Sequence, residues 1–182
     1  RNLVDGEDTA SNATVLYAKE TANHKESIAL VRTAQVSRKT KETSIDVELK
    51  MDGCGTAYVD TGIETVNRFW TRLATEAQMT LNIKCDGDLW IDEHHTAEDV
   101  AIAVGQVLSH ALGSKAGLNR MWSSTASVGD ATVEVTMDLS NRPYFEHDLR
   151  MEEYETEKVG DVSFEMFEHV LDSLVVNARL TV

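Results

Sequence analysis

A short run of the sequence, IDEHHTAED at residues 91–99, concentrates side chains that can bind a metal ion. Residues four apart share one face of a helix, so His94 can converge with Glu98, and His95 with Asp99. Imidazole nitrogens suit manganese, iron, zinc and nickel, and carboxylates add negative charge and harder oxygen ligands. His94 and His95 would point about 100° apart around a helix. The spacing therefore predicts that they serve two different ions, each completed by ligands from elsewhere.

The same run has a plainer interpretation as the solvated start of a helix, where acidic residues complement the helix dipole. The residues alone leave the metal site and the solvated helix start open as alternatives. Another histidine, His169 in FEMFEHVLDS, is a candidate further ligand, although a histidine on a helix surface is the simpler interpretation. The residues around His24, His110 and His147 do not indicate chemistry, and we expect all three at the surface.

Three segments with apolar residues at three- and four-residue steps are predicted to be helices. They span 63–77, 96–113 and 162–178, and Thr96 is the expected cap of the second one. Strands are predicted where apolar and charged residues alternate, at 28–38, 43–51, 79–85, 131–140, 144–151 and from 179 onward. A further short strand is expected within DGDLWI, just before the histidine run.

The order of these elements repeats along the chain. Each half runs strand, strand, helix, strand, helix, which predicts an α+β architecture of antiparallel sheet with its helices on one face. We divide the chain into an extended arm at 1–27, a first half at 28–115 that carries the histidine run, and a second half at 116–182. The second half stops before a helix that would match 96–113, so we expect it to lack a final segment of roughly 30–40 residues.

The charge of the chain argues against two classes of partner. Its 182 residues carry a formal net charge of −14, which disfavours binding to nucleic acid and to anionic membranes. No apolar run approaches the roughly 20 residues of a membrane span. Cys54 and Cys85 lack CxxC spacing and predict a soluble, reducing compartment, either cytoplasm or the matrix of a mitochondrion or plastid. The start at Arg1, without an initiator Met, fits either a processed import or a fragment.

The run GDLWIDEHHTAEDVAIAVGQVLSHALG closely resembles the signature of the imidazoleglycerol-phosphate dehydratase family, which are enzymes of histidine biosynthesis. Further stretches resemble the same family in order along the chain: RTAQVSRKTKETSIDVEL, DTGI, GLNR, DLSNRPYF, and EKVGD followed by EHVLDSLVVNARLTV. The resemblance implies two similar α+β halves of the ribosomal protein S5 domain 2-like type. It also implies a shell of identical subunits with di-manganese sites between them, which remove water from imidazoleglycerol phosphate.

Residue by residue, the resemblance assigns roles to several side chains. The implied metal ligands are His94, His95, Glu98 and His169. Glu42, in RKTKET, matches an acidic residue near the family's active site, and we expect it to be catalytic if the protein is active. Arg120 and Arg142 match arginines that hold the substrate phosphate, a role for which the guanidinium fork is suited.

Other positions depart from the family pattern. Where the family has a GFLDHM-like stretch, this chain reads ETVNRF, so Arg68 replaces an expected histidine ligand and Asn67 replaces an acid. Arginine stays protonated and cannot ligate a cation. Glu76 stands where the family has a further histidine, and Gly129 and Asp130 replace an acidic pair. The second histidine motif, which the family has after RLTV, does not occur in this chain.

Arg68 suggests a specific replacement for a metal ion. One hypothesis is that its guanidinium neutralises Glu98 directly, so that a salt bridge takes the place of the cation. The alternative is that Arg68 points into solvent, from a helix that is free of catalytic constraint.

These departures favour a degenerate family member, retained as a non-catalytic structural subunit of a larger protein complex and without a cofactor. The alternative is an active, manganese-dependent dehydratase, a carbon–oxygen lyase, with an altered metal site. A third interpretation is a module that binds a metal or a small anion with the half-site alone. The expected partners are other protein subunits or further copies of the chain, with no nucleic acid and no membrane insertion.

Overall fold

The computed structural model describes residues 14–16, 32–150, 153 and 157–182. Within the predicted arm, the described part is a short strand, β1 (Thr14–Leu16). It pairs antiparallel with the next strand, β2 (Thr33–Lys39), so this piece of the arm belongs to a sheet. The rest of the arm at 1–27, and the start of the strand predicted at 28–38, lie outside the described residues.

One five-stranded sheet forms the framework of the first half. Its remaining strands are β3 (Thr43–Lys50), β4 (Thr56–Asp60) and β5 (Thr80–Gly87), and the strand order is β1-β2-β3-β5-β4. The strands β2, β3 and β5 pair antiparallel, as the sequence predicts. On β3, apolar residues at alternate positions are buried and the residues between them face solvent. The alternation that predicted this strand therefore reflects burial of one face.

A β-α-β unit adds a parallel strand at the edge of this sheet. The strand β4 runs parallel to β5, and the helix α1 (Glu64–Glu76) connects the two. A parallel pair needs such a crossover, whereas an antiparallel pair can close with a tight turn. The sequence patterns predicted α1 but missed β4, because this strand has five residues and none of them is fully buried.

The prediction of a short strand within DGDLWI is wrong. Residues 89–91 instead form a tight turn, in which Ile91 N donates a hydrogen bond to Asp88 O at 2.8 Å. Trp90 and Ile91 are 82% and 63% exposed. The apolar residues that suggested a strand are therefore not buried against a sheet. The chain turns here between β5 and the histidine run.

The second half contains a hairpin, a helix and short paired segments. The hairpin consists of β6 (Met121–Val128) and β7 (Ala131–Asp138), and the helix is α3 (Phe164–Ala178). Two short strands, β8 (Lys158–Val159) and β9 (Val162–Ser163), pair just before α3. The sequence patterns missed β6, because its serine- and threonine-rich residues show no apolar alternation and all of them are exposed.

The prediction of a strand at 144–151 is mostly wrong. In its described part, Tyr144 forms an isolated bridge and residues 145–150 are irregular. Pro143 lacks the N–H that a strand ladder uses, and most of the residues after it are exposed. Without a face to bury, the segment has no reason to extend into a regular strand.

The end of the chain repeats the strand order of the first half. Thr181 forms an antiparallel bridge with Asp138 of β7 and a parallel bridge with Tyr144. The strand β5 has the same two kinds of neighbour, antiparallel β3 on one side and parallel β4 on the other. The prediction of an α+β protein with two similar halves is therefore confirmed.

The helix α2 (His94–Leu112) joins the two halves. It packs on β2, β3 and β5 with one side and on α3 with another. A Cβ atom on Gly105 would lie 2.7 Å from both Leu174 O and Asn177 Cβ, so α2 and α3 approach very closely at this point. None of the helices in the described ranges is both long and apolar enough to cross a membrane.

Candidate metal centre

The start of α2 places the histidine run on a rigid helix. The helix begins at His94, two residues earlier than predicted, and Asp92 Oδ1 accepts a hydrogen bond from His94 N at 2.9 Å. Thr96 is not the cap, because it lies fully buried inside the helix. A Cβ atom on Gly87 would lie 2.1 Å from Thr96 Oγ1. Close packing of the end of β5 on this helix turn therefore determines where the histidines lie.

Three side chains converge beside this helix turn. His94 Nε2 lies 3.5 Å from Glu98 Oε2, and His169 Nε2 of α3 lies 3.2 Å from Glu98 Oε1. The rings of His94 and His169 have centroids 5.2 Å apart. One ligand atom from each of the three residues lies within 4.8 Å of the others. Helical spacing on α2 accounts for the first pair, and the packing of α3 on α2 brings in His169.

Two imidazoles and a carboxylate form a donor set that suits a divalent transition metal. Over the described part of the chain, this is the one group of histidines, cysteines and acids close enough to share an ion. His94 is exposed and the other two residues are half-buried, so an ion has access from solvent. Three protein ligands leave coordination positions for water or substrate. The metal-binding role predicted for the three residues stays a prediction that the geometry supports.

His95 has a separate environment. Its Nδ1 lies 3.2 Å from Asp88 Oδ2, and the Asp88 side chain is 4% exposed. Hydrogen bonding to Asp88 raises the pKa of His95 against the effect of burial, and the charges of Asp88, Asp92 and Glu42 act in the same direction as that bond. Because Nδ1 faces Asp88, Nε2 is the atom that can face an ion. His94 and His95 thus point to different surroundings, as their helical spacing predicts.

Glu42 lies on the turn between β2 and β3, and its side chain is exposed. Its charge contributes to the raised pKa of His95, which places this turn next to the histidine run. The resemblance implied an acid near the active site, and the structure puts Glu42 at the end of the sheet where α2 begins.

Arg120 and Arg142 lie near another acid, Asp138 at the end of β7. Arg120 Nε and Nη2 donate to the two carboxylate oxygens of Asp138, each at 2.7 Å. This bidentate pair lowers the pKa of Asp138, and the charge of Arg142 adds to the effect. Neither arginine lines the cleft beside the histidines. The phosphate-binding role of the two arginines therefore stays a prediction.

Arg68 does not form the salt bridge that the sequence suggested. Glu98 pairs with His94 and His169, whereas Arg68 is exposed on α1 and has no ion pair within the described residues. The prediction is wrong because α1 packs mainly on β4 and β5, which keeps Arg68 away from the carboxylate on α2. The alternative, an arginine that points into solvent, describes the structure.

The other departures from the family pattern have local structural roles. Asn67 Oδ1 accepts hydrogen bonds from Thr61 N at 2.9 Å and from Thr61 Oγ1 at 2.8 Å, which closes the turn before α1. Glu76 pairs with Arg72 at 3.4 Å on the exposed side of the same helix. Gly129 has a φ of 59° at the tip of the β6–β7 hairpin, a conformation that glycine adopts without strain.

A cleft of about 700 Å³ opens beside the histidine cluster, between α2 and the second half. Phe145, His147 and Glu168 line it, and sequence reasoning missed all three. His147 Nε2 lies 3.8 Å from Glu168 Oε1, and the His147 and Phe145 rings have centroids 5.1 Å apart. The one available signal was the position of Phe145 and His147 just after DLSNRP, and of Glu168 next to His169. Contrary to expectation, His110 is partly buried rather than at the surface, and His24 lies outside the described residues.

Fold and site together define a two-layer α+β protein with a candidate metal centre where helices of its two halves meet. The sequence profile of imidazoleglycerol-phosphate dehydratase matches residues 61–182. The imidazoleglycerol-phosphate dehydratase of Exiguobacterium sp. is 39% identical over 153 residues, which cover 83% of this chain and 76% of that protein. The chain belongs to the imidazoleglycerol-phosphate dehydratase family.

Two further comparisons agree with this membership. Imidazoleglycerol-phosphate dehydratase 1, chloroplastic, of Arabidopsis thaliana is 38% identical over 160 residues, which cover 88% of this chain and 58% of that protein. The crystal structure of imidazoleglycerol-phosphate dehydratase from Staphylococcus aureus superposes with a TM-score of 0.68 at 28% identity. The superposition covers 82% of this chain and 80% of the crystallised one.

Proposed function

We propose that this chain is a metal-dependent dehydratase that removes water from imidazoleglycerol phosphate, and hence a lyase of histidine biosynthesis. The observation that carries the proposal is the convergence of His94, Glu98 and His169 from two helices on one cleft. Relatives of similar sequence are named for this activity. The degenerate interpretation that the sequence favoured loses support, because Arg68 does not occupy the place of the ion.

The three clustered residues would hold a manganese ion, which when bound supplies Lewis-acid polarisation of the substrate. Dehydration also needs a base, and we assign that role to the exposed carboxylate of Glu42, whose charge acts on His95. Asp88 accepts a hydrogen bond from His95 Nδ1 and so orients the ring, which leaves Nε2 as the nitrogen available to an ion.

The substrate phosphate is assigned to Arg120 and Arg142. The Arg120 side chain is 58% exposed, so its guanidinium is accessible although Asp138 holds it. A dianionic phosphate can form the same kind of bidentate pair with the Arg120 guanidinium as the Asp138 carboxylate does, so the two anions compete for it. The charge of Arg142 also acts on the Asp138 carboxylate, and a dianion at the same point would gain more from that charge than a monoanion does.

A second candidate function is the non-catalytic structural subunit. The observation that favours it is the permanent cation of Arg68, at a position where the family has a histidine ligand. A site that lacks one ligand would load metal less readily, and a fold without turnover could still serve in an assembly.

Metal content and turnover, measured on the same preparation, separate the two functions. The protein is purified without chelator, incubated with Mn²⁺, freed of excess ion and analysed for bound manganese and for conversion of imidazoleglycerol phosphate. We expect about one or more ions per chain and turnover that is lost in His169→Ala. The control His110→Ala, which changes a histidine in the last turn of α2, is expected to retain both. Absence of turnover in the loaded protein would overturn the proposal and favour the structural subunit.

A further inference from the structure

We propose that Asp99 positions Glu42 for catalysis, by holding the turn that carries Glu42 against the start of α2. The inference rests on the proposed dehydratase function, in which Glu42 is the catalytic base. Asp99 itself would not touch substrate or metal. It is a positioning residue that joins two separated sequence motifs, RKTKET on the sheet and HHTAED on the helix.

One carboxylate oxygen of Asp99 contacts three side chains at the end of the β2–β3 hairpin. Asp99 Oδ2 accepts a hydrogen bond from Thr43 Oγ1 at 2.6 Å and a longer one from Thr40 Oγ1 at 3.4 Å. Arg38 Nη1 lies 3.0 Å from the same oxygen. The Asp99 and Arg38 side chains are 13% and 22% exposed, so this ion pair is shielded from water. The bond from the Thr43 hydroxyl to this carboxylate is charge-assisted and therefore stronger than a hydrogen bond between neutral groups.

Thr40 and Thr43 link Asp99 by hydrogen bonds to the backbone around Glu42. Thr40 Oγ1 accepts hydrogen bonds from Glu42 N at 3.2 Å and from Thr43 N at 3.0 Å. Thr40 N in turn donates to Thr43 O at 2.9 Å. The hydroxyls of Thr40 and Thr43 lie 3.1 Å apart, so one connected network runs from Asp99 to the amide of Glu42. The side chain of Glu42 is left free for chemistry while its backbone is fixed.

The position of Asp99 on α2 links this network to the metal centre. Asp99 directly follows Glu98, and adjacent helix residues point about 100° apart. Glu98 therefore faces the histidine cluster while Asp99 faces the hairpin turn. A single helix turn sets the separation between the candidate metal ligands and Glu42. A displacement of Glu42 by about 1 Å would cost up to a hundredfold in rate.

The network has its own test in turnover. Thr43→Val removes the hydroxyl that bonds Asp99 but keeps a buried β-branched side chain, and Asp99→Asn removes the charge. We expect each variant to lower kcat by about tenfold or more, with KM changed less than about twofold. The Thr43→Ser variant, which keeps the hydroxyl, should rescue kcat. In a Glu42→Gln background, Thr43→Val should add less than about a twofold loss. If the kcat losses of Glu42→Gln and Thr43→Val multiply in the double variant, the proposal is overturned.

A readout without substrate keeps this test separate from the proposed function. Hydrogen exchange of the Glu42 and Thr43 amides should become about tenfold faster in Thr43→Val and Asp99→Asn, with bound manganese unchanged. The matched control is Asp46→Asn, which removes a carboxylate–hydroxyl bond to Ser37 at 2.5 Å on the outer face of the same hairpin. It should leave those amides and kcat as in the parent protein. Unchanged exchange in both network variants would refute the positioning role even if the parent protein shows no turnover.

Discussion

Glu98 is the residue around which the candidate site forms, because it is the shared partner of His94 and His169. Its own helix supplies the first histidine and α3 supplies the second. The nearby departure at Arg68 does not reach this carboxylate. At the scale of single residues, His94, Glu98 and His169 thus contact one another without involving Arg68, which lies exposed on α1.

Arg68→Ala is expected to change the free energy of unfolding by less than about 0.5 kcal/mol, because it removes an exposed side chain that has no ion pair within the described residues. Manganese affinity of the cluster should stay within about twofold of the parent protein. Glu98→Gln, by contrast, should weaken manganese binding on the order of tenfold or more, because the shared negative charge is lost. Urea denaturation and titration calorimetry measure the two quantities. A large loss of affinity in Arg68→Ala would show that the guanidinium supports the site after all.

Asn67 has a structural role that its position in the family pattern did not reveal. Thr61 is 1% exposed, and its N–H and hydroxyl both donate to Asn67 Oδ1. Asn67→Ala leaves the Thr61 N–H without its acceptor, and the Thr61 hydroxyl keeps only a longer bond to Ile63 O at 3.4 Å, so the change should cost about 1–3 kcal/mol of unfolding free energy. Asn67→Asp keeps the acceptor and serves as the control, with an expected change below about 1 kcal/mol. Urea denaturation monitored by circular dichroism measures both changes. Equal losses of unfolding free energy in the two variants would contradict this role.

At the scale of elements, α1 depends on the second half of the chain for its cap. Its own N-cap residue, Ile63, makes no side-chain capping bond. Asp161 instead accepts from Thr65 N at 3.0 Å and from Glu64 N at 3.1 Å, and Thr65 Oγ1 accepts from Asp161 N at 3.2 Å. A residue distant in sequence thus satisfies the free amides of the first helix turn. The cap is one of the contacts that hold the two halves in register.

Asp161→Ala should lower the free energy of unfolding by about 1 kcal/mol at neutral pH, as the loss of a helix cap does. Hydrogen bonding to Thr65 holds the pKa of Asp161 below its ordinary value. A depressed pKa stabilises the fold fully above the unfolded-state pKa, and that contribution is lost as pH falls through the folded-state pKa. The difference between parent and variant should therefore shrink as pH falls below about 4. Denaturation at several pH values measures it, with the exposed Asp148→Ala as control.

At the scale of the whole molecule, the two halves are similar in topology but unequal in burial. The sheet of the first half is covered by α2, which packs on β2 and β3. The hairpin β6–β7 exposes its apolar row, in which Trp122, Val133 and Val135 share one face and are 60%, 44% and 43% exposed. Isolated two-stranded hairpins are marginal in water. Exposed apolar patches of this kind are typical of surfaces that contact another protein.

We expect further copies of the chain to cover this row in solution. Val135→Lys introduces a charge into it and should lower the mass of the assembly, measured by light scattering after size-exclusion chromatography. The matched control is Thr136→Lys, the next residue on β7, whose side chain lies on the opposite face of the hairpin. Equal behaviour of the two variants would argue that the apolar row is not the contact between copies.

The sequence by itself determined the features that depend on neighbours along the chain. Alternation identified β3 and helical periodicity identified α1, because both patterns record which face of an element is buried. The spacing of His94 and Glu98 predicted their pairing, since residues four apart meet on any helix. The family resemblance added Glu42, which local patterns did not mark as functional, and it favoured His169 as a ligand over the simpler interpretation of a helix-surface histidine.

Only the tertiary structure decided which distant groups meet. The close approach of α2 and α3 at Gly105 accompanies the contact of His169 with Glu98, and the packing of α1 on β4 and β5 turns Arg68 into solvent. The turn at 89–91 was misjudged because its apolar side chains are not buried, and β6 was missed because backbone pairing with β7, not burial of one face, makes it a strand. Such outcomes depend on packing between elements far apart in sequence, and no local pattern of residue types encodes that packing.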